Sequence, residues 1–242
     1  VSGYLSNSQS QIFEKPDEDW LSDNLVHHRL NVYYYPTPWL ALSVQARNRL
    51  FYGDMIQIGE FFVPDYRDQL LQDAGWMDLS HTFKDEKAYI LHTTLDRLYA
   101  KLTAGSFEAT LGRQRINWGQ NFVWNPNDIF NAYSFFDLDY PERPGSDALH
   151  LQYYIGFASS VELAAKWNHQ DELTAAAKFL FNQWEYDFQL LAGVYNDDDW
   201  MAGAGWSGAI GNSAFRGEMS YFHPKENMQD TSGIFVGAVG AD

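Results

Sequence analysis

Apolar residues recur at every second position in short runs along this chain. In 39–52, Leu40, Leu42, Val44 and Ala46 alternate with Ser43, Gln45, Arg47 and Arg49. In 25–35, Val26, Leu30, Val32 and Tyr34 oppose His27, Arg29 and Asn31. Val161, Leu163, Ala165 and Trp167 oppose Glu162 and Lys166, and Phe188, Leu190, Ala192 and Val194 oppose Asp187 and Gln189. Phe215, Met219 and Tyr221 oppose Arg216 and Glu218. A period of two is the mark of a sheet that is apolar on one face only. The runs predict twelve strands, near 3–13, 25–35, 39–52, 90–103, 107–118, 148–155, 160–167, 173–181, 186–195, 201–210, 213–222 and 232–241.

The links between these runs alternate in length. Links at 36–38, 104–106, 156–159, 182–185 and 211–212 are short, whereas 14–24, 53–89, 119–147, 168–172, 196–200 and 223–231 are longer. Tight turns at one rim and longer loops at the other describe a transmembrane β-barrel. A soluble sandwich has no need to keep that phase. The expected fold is therefore all-β, a single antiparallel transmembrane β-barrel domain over 1–242. Its short links face the periplasm, and loops 53–89 and 119–147 face outward. A helical turn or two is expected near 66–77.

Two runs break the alternation. In 107–118, Phe107, Ala109 and Leu111 set a phase that turns Arg113 and Arg115 toward lipid. A bulge at Gly112 returns both arginines to the lumen and turns Ile116 and Trp118 outward. In 90–103, Leu98, Ala100 and Leu102 put Asp96 on the lipid side, and the sequence offers no repair.

Composition fits this picture. No stretch approaches the ~18 consecutive apolar residues of a membrane-spanning helix. Aromatics make up 17% of the chain, yet the mean hydropathy is only −0.40, as expected when alternate strand residues are polar. Cysteine is absent. That excludes disulfides, thiolate metal sites and a cysteine nucleophile, and it fits passage through an oxidising periplasm. A net charge of −16 argues against nucleic acid as a partner.

The distribution of charge says more than its sum. The longer links hold 25 of the 32 acidic residues but six of the 16 basic ones. The remaining basic residues, Arg29, Arg47, Arg49, Arg97, Lys101, Arg113, Arg115, Lys166, Lys178 and Arg216, lie in strands on the expected lumen face. Glu108, Glu162, Asp187 and Glu218 join them there. A basic side chain in lipid at mid-depth costs ~2–4 kcal/mol, which turns these residues inward. Two readings follow. A wall of one sign concentrates anions, or the arginines pair with luminal carboxylates and in-folded acidic loops and pack the lumen shut.

Loop 119–147 carries Asn125-Pro126-Asn127-Asp128 and many aromatics, which suggests order. Trp124, Asn125, Asn127 and Asp128 are candidates for a constriction if the loop folds inward. A packed extracellular cap is the other reading. The clusters Asp17-Glu18-Asp19 and Asp197-Asp198-Asp199 lack calcium-loop spacing and read as solvated rim charge. The histidines show no ligand spacing, and no hydrolase elbow, P-loop or dinucleotide fingerprint is present. No metal, cofactor or catalytic residue is expected, and the chain is not read as an enzyme.

Gly112-Arg113-Gln114, then Trp118-Gly119 and Asn125-Pro126-Asn127-Asp128, resemble the porin-like outer-membrane barrels, including the alginate-export type and barrels of Bacteroidota. Gly3-Tyr4-Leu5-Ser6-Asn7 and Leu50-Phe51-Tyr52-Gly53-Asp54 extend the likeness along most of the chain. The resemblance implies a barrel in the bacterial outer membrane, in contact with lipid and lipopolysaccharide, that carries a solute or an anionic polysaccharide. Arg113 and Arg115 match the position of luminal basic residues in such barrels. The expected function is a channel for small or anionic solutes through a basic lumen. The alternative is a plugged barrel that serves as a structural or docking subunit of a larger envelope complex. Such barrels usually end on an aromatic residue, whereas this chain ends Val239-Gly240-Ala241-Asp242. Further strands are therefore expected beyond the twelve.

Overall fold

The computed structural model describes residues 1–15, 17, 20–73, 75–121, 124–130, 145–226 and 232–242. One antiparallel sheet takes up thirteen strands: β1 (Ser2–Ile12), β2 (Leu21–Thr37), β3 (Leu40–Tyr52), β4 (Ser80–Asp85), β5 (Tyr89–Ala104), β6 (Phe107–Gln114), β7 (Ser146–Tyr154), β8 (Ser160–Trp167), β9 (Leu173–Gln183), β10 (Tyr186–Tyr195), β11 (Asp199–Ile210), β12 (Ser213–Pro224) and β13 (Ile234–Ala241). Each strand pairs with the next in the chain, except that β3 pairs with β5 and β4 is an extra partner of β5. β1 and β13 are not paired with each other, so the sheet is open. Two short helices, α1 (Asp54–Ile58) and α2 (Tyr66–Leu71), lie between β3 and β4. No helix among the described residues is long and apolar enough to cross a membrane.

The twelve strands read from the alternation are all present. β4 is the addition. Its sequence, SHTFKD, has no apolar alternation, and its place is set by its neighbour. β6 pairs with β5 only up to Arg113 opposite Leu98, which leaves 90–94 of β5 to pair with β4. Leu95 N–H donates to Leu79 O at 2.9 Å, and Gly75 bridges Asn168 at the end of β8. Segment 75–85 thus fills the edge that β6 and β7 leave open.

Of the two breaks in alternation, the one at Asp96 is met by a register shift, and the bulge expected at Gly112 is not present. Pairing between β3 and β5 shifts between Gln45 opposite Arg97 and Ala46 opposite Leu95. The extra residue lets Asp96 and Arg97 both turn to the buried face, where they are 2% and 6% exposed. Register through Gly112 is unbroken on both sides. Its φ of +114° is backbone that glycine accepts without strain, and an added Cβ would lie 2.3 Å from Leu98 O.

Burial is inverted relative to a soluble sheet. In β8, Glu162 and Lys166 are buried while Leu163 is 49% exposed. Leu30, Val44, Leu102, Leu111 and Leu190 are likewise exposed, whereas Arg29, Gln45, Asp96, Gln189 and Glu218 are buried. Apolar groups cluster on the buried side in two places. Phe51, Ile56 and Ile90 pack with Leu25, Tyr66, Leu70 and Leu71 beneath the two helices. Ile116, Trp118, Ile129 and Phe130 pack on Ala148, Ala164, Ala176, Leu191 and Met201.

Candidate functional site

Of the ten basic residues expected on one face, Arg29, Arg97, Arg113, Lys166 and Lys178 are buried, and most of the ten are engaged. Asp96 is the centre of one group. Arg29, wholly buried, donates to Asp96 Oδ2 at 2.8 Å, to Gln45 Oε1 at 2.7 Å and to Asn31 Oδ1 at 3.0 Å. Arg47 lies 3.3 Å from the other oxygen of Asp96, and Arg97 donates to the Asp96 carbonyl at 2.7 Å. Arg49 donates to Leu70 O at 3.2 Å and stacks its guanidinium over Phe51. Buried ion pairs of this kind hold their geometry because a lost partner leaves an uncompensated charge.

Arg113 forms a second centre at the tip of β6. Its Nε and Nη2 make a bidentate pair with Asp147, both at 2.8 Å, and its Nη1 meets Asp73 at 2.6 Å. It also donates to the carbonyls of Met77 and Leu95, while Met77 N–H donates to Asp147 at 2.9 Å. A planar fork with five donors suits this arrangement, and a lysine would not replace it. Arg113 therefore ties Asp73 and Met77 to the ends of β6 and β7. It does not stand free at a constriction.

On the far side of the sheet the chain leaving β6 lies across the buried face. The sequence reading ran the strand to 118 and turned Ile116 and Trp118 outward. The strand stops at Gln114, and both residues are instead buried on the polar side at 2% exposure. Trp118 Nε1 donates to Glu162 at 2.8 Å, and Lys178 sits over its ring while meeting the other Glu162 oxygen at 2.9 Å. Gln189 donates to Trp118 O at 2.9 Å. Glu218 accepts backbone N–H groups from Gln120, Asn121 (2.7 Å) and Asn127 (3.0 Å). Arg216 donates to Gln120 O at 3.1 Å, and Lys166 to Phe130 O at 2.8 Å.

Among the constriction candidates, Asn127 is fully buried, donates to Ala204 O at 3.0 Å and lies 2.7 Å from the Ser220 hydroxyl. Asp128 is buried, and its N–H donates to Asn125 O at 3.1 Å. Trp124 is exposed. Thus 115–121 and 124–130 lie against the buried face of the sheet. Phe122 and the aromatics and prolines at 133–144, with Asp137 and Asp139, lie outside the described residues.

Glycine makes the close approach possible. A Cβ at Gly203 would lie 2.7 Å from Asn127 Oδ1, and one at Gly205 would lie 2.8 Å from Gln120 Oε1. Ala148, Ala164 and Ala176 are similarly small and buried beneath this segment. Small residues in a phase that is elsewhere charged were the signal that something covers these strands. The sequence analysis does not use that signal, and its reading that arginines pair with in-folded loop acids names neither Asp73 nor Asp147, the two that meet Arg113.

Arg115 differs from the rest. It is exposed, and no described residue hydrogen-bonds or ion-pairs with it. It faces a polar pocket of about 250 Å³, shared with Arg97, Tyr99, Lys101, Thr110 and Gln114. Lys101 pairs with Glu108 at 2.8 Å on the same wall. Among the described residues, no cluster of histidines and carboxylates could hold a metal ion. No family model matches the chain, and no curated protein is significantly similar to it.

Proposed function

We propose that this chain forms the wall of a transmembrane β-barrel in a bacterial outer membrane, of the porin-like kind it resembles. Lipid and lipopolysaccharide surround the barrel, and its own segments largely fill the interior. The inverted burial carries this reading: leucines exposed on one face, arginines and carboxylates buried on the other. Water favours the opposite arrangement, and lipid favours this one. Closure of the sheet is part of the proposal, by pairing of β1 with β13 or by further strands between them.

The segment that covers the buried face bears on the choice between the two functions considered. Residues 115–121 and 124–130 are held by groups of β8, β10, β11 and β12, and the strand arginines mostly meet carboxylates and backbone carbonyls. This favours a plugged barrel acting as a structural or docking subunit of a larger outer-membrane complex over a wide channel. The pocket at Arg115 keeps a second reading alive, a narrow path for anionic solutes.

Leu163→Arg tests the membrane reading. It puts a charge on the exposed face and should block assembly into lipid vesicles, at a cost of ~2–4 kcal/mol. Gln152→Arg, on the inner side beside Glu162, should assemble. If Leu163→Arg assembles as well as wild type, the exposed face does not lie in lipid. Planar-bilayer conductance tests the plug: little current is expected, and a large anion-selective current would return the channel to first place.

A further inference from the structure

On the apolar side of the sheet, a row of polar side chains crosses β2, β3, β5 and β4. His28, Asn48, Thr93 and His81 stand opposite one another in register. The next row toward the short links is Leu30, Ala46 and Leu95, and the next toward the long links is Val26, Leu50 and Leu91. None of these side chains carries a fixed charge. Tyr52 and Tyr89, paired one row further on, mark the aromatic edge of the apolar band. The polar row therefore lies within the band, not at its rim. The Thr93 hydroxyl donates to Asn48 Oδ1 at 2.7 Å, and the Asn48 amide nitrogen faces His28 Nδ1 at 3.0 Å. With Nδ1 accepting, a neutral imidazole carries its proton on Nε2. Neither that N–H nor the ring nitrogens of His81 have a hydrogen-bond partner among the described residues, and both histidines are exposed.

From this arrangement we propose that the row is the contact surface between two copies of the chain in the membrane. The inference rests on the barrel reading and gives its docking function a partner. Hydrocarbon offers an N–H no acceptor, so a polar row set among leucines calls for a protein surface across from it. The row supplies both halves of its own complement. His28 Nε2–H and the Asn48 amide donate, while Asn48 Oδ1 and the Thr93 hydroxyl oxygen accept. Copies inserted from one side point the same way, so the row sits at one depth on each. A two-fold axis along the membrane normal then sets row against row. A different membrane protein would need a matching polar row of its own at that depth, whereas a second copy already has one. Gly3 and Ala46 stand on either side of Leu30 in the adjoining row, and small residues there let the two surfaces approach closely.

Oxidative cross-linking through single cysteines tests the proposal, since the chain has none of its own. The protein is added to preformed lipid vesicles so that all copies insert from one side, and insertion is read first by flotation. Leu30→Cys, beside the row, should cross-link into a species of twice the mass. Leu163→Cys, exposed on β8, should not. Adding Asn48→Leu/Thr93→Val to Leu30→Cys should lower the cross-linked fraction at least fivefold. If that combination does not insert, His28→Leu takes its place, because it leaves the bond between Thr93 and Asn48 intact and should lower the fraction severalfold. Three results would each overturn the proposal: an inserted Leu30→Cys protein that stays monomeric, a Leu163→Cys protein that dimerises equally, or a dimer unmoved by loss of the row. In native membranes, a cross-link from Leu30→Cys to a different protein in place of a second copy would overturn it too. A wild-type protein that does not insert sinks the barrel reading, and the dimer with it, whereas one that inserts as a monomer sinks the dimer alone.

Discussion

Two stretches of the same buried face solve one problem in opposite ways. On β2, β3 and β5 the arginines are met mainly by the sheet itself. Asp96 receives Arg29 and Arg47, Gln45 takes a further Arg29 donor, and the space beside them stays open as a pocket. On β8 to β12 the wall groups are met by backbone. Glu218 takes three N–H groups, while Lys166 and Arg216 take carbonyls of the covering segment. The residue types beneath differ accordingly: long charged side chains in the first region, alanine and glycine between the charges in the second. Every buried polar group needs a partner. Where side chains are long they reach one another, and where they are short the chain itself must come down to them.

This contrast makes the two regions separable, and the largest expected effect lies in the first. Asp96→Ala leaves Arg29 and Arg47 without their shared carboxylate at a wholly buried site. Removing one partner of a buried ion pair costs about 3–5 kcal/mol. Urea unfolding of the protein in detergent should show a loss of that size. Hydrogen exchange within 115–121 and 124–130 should be unchanged, because the hydrogen bonds that hold these residues run to Glu162, Lys166, Gln189, Ala204, Arg216 and Glu218. Increased exchange there would mean the two regions are one network.

Glu218→Ala is the complementary change. It strands three backbone N–H groups at a 1% exposed site, a loss on the order of 3 kcal/mol at one to three per unsatisfied group. Exchange should rise at 118–127 while β2 and β3 stay protected. The Asp96→Ala/Glu218→Ala double variant should lose the sum of the two single losses within ~0.5 kcal/mol, as independent sites do. A large departure from additivity would break the comparison.

How far the sequence carries the reader differs between these regions for a physical reason. Strands with one apolar face announce themselves by period, so all twelve expected strands are present. What depends on a neighbour's shortfall is not local. β4 exists because β6 ends at Gln114 and leaves an edge of β5 free, and nothing in Ser80–Asp85 says so. Two breaks in phase are legible, and glycine invites a bulge at Gly112 while nothing local repairs Asp96. The register shift occurs at Asp96, where the demand of Arg29 and Arg47 for a carboxylate outweighs the local pattern, and none occurs at Gly112. Among the site residues, Arg113 and Arg115 looked equivalent from their spacing. One is bound to two aspartates and the other faces open space, because the strand ends between them.

The smallest effect concerns the helices that cover the first region near β2. Ser22 donates its N–H and its hydroxyl to Asp54 Oδ2 at 2.9 and 2.8 Å, and Asp54 N–H lies 3.2 Å from the same hydroxyl. These bonds, the backbone one foremost, hold the Asp54 carboxyl below its ordinary range. A carboxyl with a lowered folded pKa adds stability above its unfolded value of ~3.9 and loses it as pH falls through the folded value. The attachment of α1 and α2 should therefore be intact at neutral pH and loosen only in acid. A fluorophore on a cysteine placed at Gln72, exposed just after α2, would report the release. Ser22→Ala removes the hydroxyl but leaves the backbone donor, so the release should move modestly to higher pH. A release that moves to lower pH would show that the Ser22 hydroxyl is not what holds the Asp54 carboxyl down.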